Sequence, residues 1–237
     1  MNNEVVADYT ELSRRCAEVI AAFIRENRDS LLCLAAGDTP LGAYAQLVTM
    51  QASGEVDLSS VYYAGLDEWV GLGPKDKGSC YQVMFDHLYG PARIPGERLH
   101  VFNGLGDPVL ECKAMNQWLA DRGPLALAVV GVGMNGHIGF NEPDVPAVDG
   151  AIMVSLDTVT KTVSTKYFGA ERPVTMGITI GLNTLYQAQR ILVLASGEKK
   201  APVIQEAFYG PKTPSIAASM LQDHRNLTLL LDTYAAG

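Results

Sequence analysis

Apolar residues recur along this chain in two rhythms. Over residues 8–27, Leu12, Cys16, Val19, Ile20 and Phe23 fall three or four positions apart, the spacing that gathers them on one face of an amphipathic helix. Leu31–Ala36 is then a continuous apolar run ending at Gly37, which reads as a short strand buried on both faces. A helix follows from Pro40 to about Met50, with its proline near the first turn. Val61–Leu66 predicts the next strand, closed by the acidic turn Asp67-Glu68. Helices are expected over 79–89 and 108–121, a central strand over Leu125–Val130, and strands over Ile191–Ala195 and Leu227–Leu231 with a helix over 199–208 between them. Val174–Ile180 is rich in β-formers, whereas the Pro/Gly clusters at 71–78, 90–96 and 143–150 read as loops. Residues 144–172 look loop-rich and suited to a lid.

Strands alternating with helices predict an α/β fold. The expected architecture is three-layer and doubly wound: a Rossmann-like, mostly parallel sheet covered by helices on both faces. There is no internal repeat, low-complexity tract or Ser/Gly-rich linker, so residues 1–237 read as one domain.

Composition narrows the function classes. With 48% apolar residues the chain can fill a core without a metal or disulfide staple. A formal net charge of −8 argues against a nucleic-acid surface, but not against an anionic small molecule held by a few local donors. Cys16, Cys33, Cys80 and Cys112 are widely spaced, with no CxxC and no zinc-like cluster, and read as reduced thiols. No basic-then-apolar leader pattern and no membrane-length apolar run is present. A cytoplasmic protein that needs no membrane, metal or organic cofactor is expected.

The candidate chemistry sits at strand ends. After the first strand, Ala36-Gly37-Asp38-Thr39-Pro40 opens a helix; its free N–H groups and dipole form an anion site, or Asp38 and Thr39 are ordinary N-caps. After the second, adjacent Asp67 and Glu68 are candidates for acid–base work or a solvated turn. The central strand runs into Gly131-Val132-Gly133-Met134-Asn135-Gly136-His137-Ile138-Gly139-Phe140-Asn141-Glu142-Pro143. Here glycines permit close backbone approach to a ligand, and one imidazole, a group that titrates near neutrality, has a carboxylate five residues on to orient it. Lys161, Lys166, Arg172, Lys199 and Lys200 all lie in the C-terminal third, the last two at another strand-to-helix junction. That junction is either a solvated helix start or the cationic half of a phosphate clamp.

Taken together these segments, with Leu66-Asp67-Glu68-Trp69-Val70-Gly71-Leu72 and Ser196-Gly197-Glu198-Lys199-Lys200-Ala201, resemble the glucosamine-6-phosphate deaminase/isomerase family, in the family's order over roughly residues 8–231. The related 6-phosphogluconolactonases share the fold and a similar Gly-rich His loop but usually continue with a Ser-Leu-Phe-Pro-like stretch; Phe140-Asn141-Glu142-Pro143 favours the deaminase side. Leu66-Asp67-Glu68-Trp69-Val70 and Arg172-Pro173-Val174-Thr175 look similar to a galactosamine-6-phosphate isomerase branch, so either epimer stands as substrate. The resemblance implies Asp67 as the base moving a proton between C2 and C1, His137 as the ring-opening group with Glu142 and Asn135 assisting, and a more structural Glu68. It implies phosphate held by the Gly37, Asp38 and Thr39 backbone with Lys200 and Lys166, where Lys166 replaces a usual arginine, Arg172 is an alternative cation, and Asp38 is an unusual carboxylate beside the anion. Residues 143–160 contain no Lys or Arg, so the allosteric N-acetyl sugar phosphate site of some members is expected to be absent; oligomeric state stays open. A lactonase-like hydrolase and a non-catalytic sugar-phosphate sensor are the alternatives.

Overall fold

Alternate residues of the central apolar runs turn to opposite faces, and each face is covered. The computed structural model describes residues 1–168 and 173–237. Its main sheet contains β1 (Asn2–Val6), β2 (Leu31–Leu34), β3 (Tyr62–Gly65), β5 (Leu99–His100), β6 (Leu127–Gly131), β9 (Arg190–Ala195) and β10 (Leu227–Asp232), in the order β1-β10-β9-β6-β2-β3-β5. Every pairing in it is parallel.

Leu32, Leu34, Leu127, Val129, Leu192, Leu194 and Leu230 face one layer, made by α1 (Tyr9–Glu26), α2 (Leu41–Ser53) and a helix that begins as α3 (Cys80–Met84) and continues as a π-helical segment, Phe85–Tyr89. Leu31, Cys33, Ala128, Val130, Ile191, Val193, Leu229 and Leu231 face the other, where α4 (Pro108–Arg122), α6 (Leu182–Tyr186), α7 (Ala201–Tyr209) and α8 (Thr233–Ala236) pack. The predicted three-layer, doubly wound, mostly parallel sheet is the observed one. The α1 stripe holds as read: Leu12, Cys16, Val19 and Ile20 are buried, and Asp8 caps the helix by accepting from the Glu11 N–H at 3.0 Å.

Several segments differ from the sequence reading. Asp67-Glu68 is no turn: it begins β4 (Asp67–Trp69), which pairs antiparallel with β8 (Met176–Ile180), and β8 pairs antiparallel with β7 (Ala151–Ser155). This three-stranded sheet turns Ile178 and Ile180 into the main core and Trp69 and Val154 into a separate cluster with Leu72, Phe140, Leu156 and Val174. The loop expected over 144–172 holds β7 and helix α5 (Thr158–Phe168). Edge strands β1 and β5 carry no apolar run long enough to announce them, since an edge strand is covered on fewer sides.

Topology places the site. From β2 the chain steps one way to β3 and from β6 the other way to β9, so the winding reverses between β2 and β6. Open α/β sheets leave a crevice at the carboxyl ends of such a pair.

Candidate active site

A cleft opens at that reversal. It is lined by the turn after β2 (Ala36, Gly37, Asp38, Thr39), by Asp67, by Cys80, by Gly131–Met134 and His137, by Val159, Thr160, Val163 and Tyr167 of α5, and by Lys200. Of the residues singled out in the sequence, Asp67, His137, Gly37, Asp38, Thr39 and Lys200 therefore share one cavity, while Asn135, Glu142 and Lys166 do not line it.

The turn after β6 is built tightly around its histidine. The Gly133 N–H donates to the His137 carbonyl at 2.9 Å, and the Gly136 N–H donates to the Gly133 carbonyl at 3.1 Å. A side chain at 133 would have to displace the imidazole: a Cβ there would lie 2.3–2.5 Å from ring atoms of His137. The His137 Nδ1 lies 3.1 Å from the Thr160 hydroxyl and 3.4 Å from the Glu142 carboxylate. Asn135 locks this pair. Its side-chain N–H₂ donates to Glu142 at 3.1 Å and to Asp157 at 3.2 Å, while its Oδ1 accepts the His137 N–H at 3.3 Å. Burial pushes the Glu142 carboxyl up, but His137, Thr160 and Asn135 outweigh it and hold the group below the usual carboxylate range. Asn141 fastens the loop to β8 through bonds to the carbonyls of Ile138 (2.8 Å) and Ile180 (2.9 Å). His137 lines the cleft, with its Nε2, Cε1 and Cδ2 atoms lying against Gly133, which lines it too.

Asp67 and Glu68 point to opposite sides of β4, and their environments separate their roles. Glu68 is buried and accepts from the backbone N–H groups of Trp69, Cys80 and Tyr81, each at 2.9 Å. It ties the start of α3 to the strand, a structural role. Asp67 lines the cleft, and burial pushes its carboxyl up to about 6, opposed by a hydrogen bond from the Cys80 thiol and by His137. A carboxyl raised toward neutrality is suited to accept and return a proton at physiological pH.

The opposite wall is cationic. Lys200 donates to the Val132 carbonyl at 2.6 Å, and burial lowers the ammonium's pKa against the pull of Asp38. Gly37 adopts φ +130 with no atom within 4 Å of where a Cβ would stand. Tyr9 braces the turn, its hydroxyl donating to the Asp38 carbonyl at 3.2 Å and accepting the Gly42 N–H at 3.0 Å. Among the described residues nothing accepts from the N–H groups of Gly37, Asp38 or Thr39, which leaves them for an anion. Lys166 does not line the cleft; it reaches from α5 to an ion pair with the Asp38 carboxylate. Arg172 lies outside the described residues.

Four contributors escaped the sequence reading: Cys80, Asp157, Thr160 and Tyr167. Asp157 accepts the Val159 N–H at 2.8 Å, and an Asp-Thr pair before Val159, Val163 and Tyr167 at four-residue spacing was an available helix signal. Among the described residues, no three His, Cys, Asp or Glu side chains converge as a metal site, and no helix is long and apolar enough to cross a membrane.

Known proteins similar to this chain are numerous. A glucosamine-6-phosphate deaminase of Lachnoclostridium phytofermentans is 39% identical over 224 residues, covering 94% of this chain and 95% of its own. One from a Thermoanaerobacter species is 35% identical over 234 residues, covering 98% and 92%. The solved structure of a monomeric glucosamine-6-phosphate deaminase superposes with a TM-score of 0.95 at 31% identity, covering 100% of this chain and 99% of that one. The 6-phosphogluconolactonase of Trypanosoma brucei, at TM-score 0.81 and 20% identity over 99% and 97% of the two chains, shares the fold. The model of the glucosamine-6-phosphate isomerase/6-phosphogluconolactonase family matches residues 4–230, and the chain belongs to that family.

Proposed function

We propose that this protein is an amino-sugar-phosphate deaminase that converts a 2-amino-2-deoxyhexose 6-phosphate and water to a ketose 6-phosphate and ammonia. The observation that carries the reading is one cleft holding a carboxyl raised toward neutrality, Asp67, and an imidazole fixed by a buried carboxylate, His137 on Glu142, across from free turn N–H groups and Lys200. The deaminase relatives support the reaction class, and glucosamine 6-phosphate is accordingly the first substrate to try.

Each group has a task in such a reaction. The phosphate docks on the N–H groups of Gly37, Asp38 and Thr39 with Lys200, which fixes the sugar along the cleft. His137 carries the proton between O1 and the ring oxygen and so opens the pyranose, its Nδ1 side held by Glu142 and Thr160 and its loop by Asn135. Ionised Asp67 takes the proton from C2 of the open aldehyde while O1 takes one from solvent, returned when the iminium is later hydrolysed, giving an enolamine. Returned to C1, that proton leaves an iminium at C2; water adds there, ammonia departs and the ketone remains. A base positioned in a largely desolvated site is worth roughly 10²–10⁴ in rate.

The test is a product assay on three compounds: glucosamine 6-phosphate, galactosamine 6-phosphate and 6-phosphogluconolactone. Stoichiometric ammonia and ketose phosphate from an amino sugar is the expected result, and the better substrate assigns the epimer. Lactone hydrolysis without ammonia would replace the proposal with a lactonase; ligand-induced thermal stabilisation with no turnover of any compound would replace it with a sensor.

A further inference from the structure

The phosphate side of the cleft carries a carboxylate of its own. Asp38 lies on the same turn as the unengaged N–H groups, lines the cavity, and pairs with the Lys166 ammonium, which also lies 5.4 Å from the centre of the Tyr167 ring. Its charge also acts on Lys200 and on Tyr167. One anion thus sits among the cations and helix-turn donors that a phosphate ester would use. We infer that the Asp38 carboxylate is an internal competitor for the anion site, holding Lys166 beside the turn until a substrate phosphate displaces it.

This rests on the proposed phosphate site and adds a specificity device to it. Both members of the pair are largely exposed, with side-chain accessibilities of 62% for Lys166 and 58% for Asp38, so the contact is weak enough to exchange. A phosphate placed on the turn meets repulsion from Asp38, and it gains Lys166 only when the ammonium leaves the carboxylate for the phosphate oxygens. A sugar phosphate adds ring contacts deeper in the cleft to drive the exchange. A bare anion must drive it with phosphate contacts alone, so the device disfavours occupation by small anions, a discrimination built from an opposing element.

Calorimetric titration with inorganic phosphate at constant ionic strength tests this on the wild type, Asp38→Asn, Lys166→Ala and the double variant. Asp38→Asn is expected to bind phosphate roughly fivefold more tightly, and Lys166→Ala to weaken binding more in the Asp38→Asn background than in the wild type. Equal or weaker binding by Asp38→Asn, or a Lys166→Ala effect independent of residue 38, overturns the inference while leaving the phosphate site standing. No phosphate binding by any of the four overturns the site and the inference together.

Discussion

The Asp67 carboxyl meets opposing demands, reach toward substrate and a place to keep a charge, and burial there raises its pKa to about 6. Two outcomes follow at this residue. As the proposed base it must be ionised, so kcat/KM should rise with pH through about 6 and level above it. The native state also binds this proton more tightly than the unfolded chain, where a carboxyl titrates near 4. Proton-linked stabilisation is therefore fully present below about pH 4 and is lost as pH rises through about 6. Asp67→Asn, neutral throughout, should be more stable than the wild type by roughly 1–2 kcal/mol at pH 8, after discounting for solvent at the cleft, and no more stable at pH 4. Chemical denaturation at the two pH values measures this. A second residue is decided by space alone: Gly133→Ala must displace the His137 ring, so kcat/KM should fall at least about tenfold while circular dichroism stays unchanged.

Among the elements, α5 and β4 carry the site and were the least legible. The alternating strands and helices from α1 through β3, and again from β9 to β10, read directly from the chain because long apolar runs and a helical stripe leave little choice. Asp67-Glu68 looked like a solvated turn because two adjacent carboxylates are rare inside a strand; only the pairing with β8 and the three N–H groups gathered by Glu68 make a strand of them. Helix α5 reads Thr-Val-Thr-Lys-Thr-Val-Ser-Thr-Lys-Tyr-Phe, β-branched and hydroxylated residues of modest helix propensity, so its tertiary contacts, invisible in sequence, decide. Asp67, His137, Glu142, Asn135, Gly37, Thr39 and Lys200 were legible because each sits at a strand end or in a glycine turn. Cys80 and Thr160 enter the cleft from elements whose approach to it is set by the fold. Thr160→Val removes the 3.1 Å partner of His137 Nδ1, and a steady-state comparison should show kcat reduced roughly tenfold with the unfolding temperature within a few degrees of the wild type.

At the scale of the whole molecule, an acidic chain of net charge −8 carries Lys200 and the unengaged N–H groups of the Gly37–Thr39 turn together in its cleft, a local concentration of donors against the overall charge. The donors converge where the winding of the main sheet reverses, and the small antiparallel sheet supplies the second wall by anchoring the β6 turn through Asn141 and presenting Asp67. The segment 143–160 brings no lysine or arginine to the surface, so N-acetylglucosamine 6-phosphate should change the initial rate less than about twofold in a direct kinetic assay, other than by competition at the cleft. The central claim is that Asp67 and His137 in this cleft drive isomerisation with loss of ammonia. Its most direct test is ammonia release from glucosamine 6-phosphate by the wild type and by Asp67→Asn, with substrate affinity of the variant measured in parallel. The account predicts turnover by the wild type and a loss of at least about 10³-fold in Asp67→Asn that still binds the sugar phosphate. No ammonia from the wild type, or ammonia from Asp67→Asn at the wild-type rate, would contradict it.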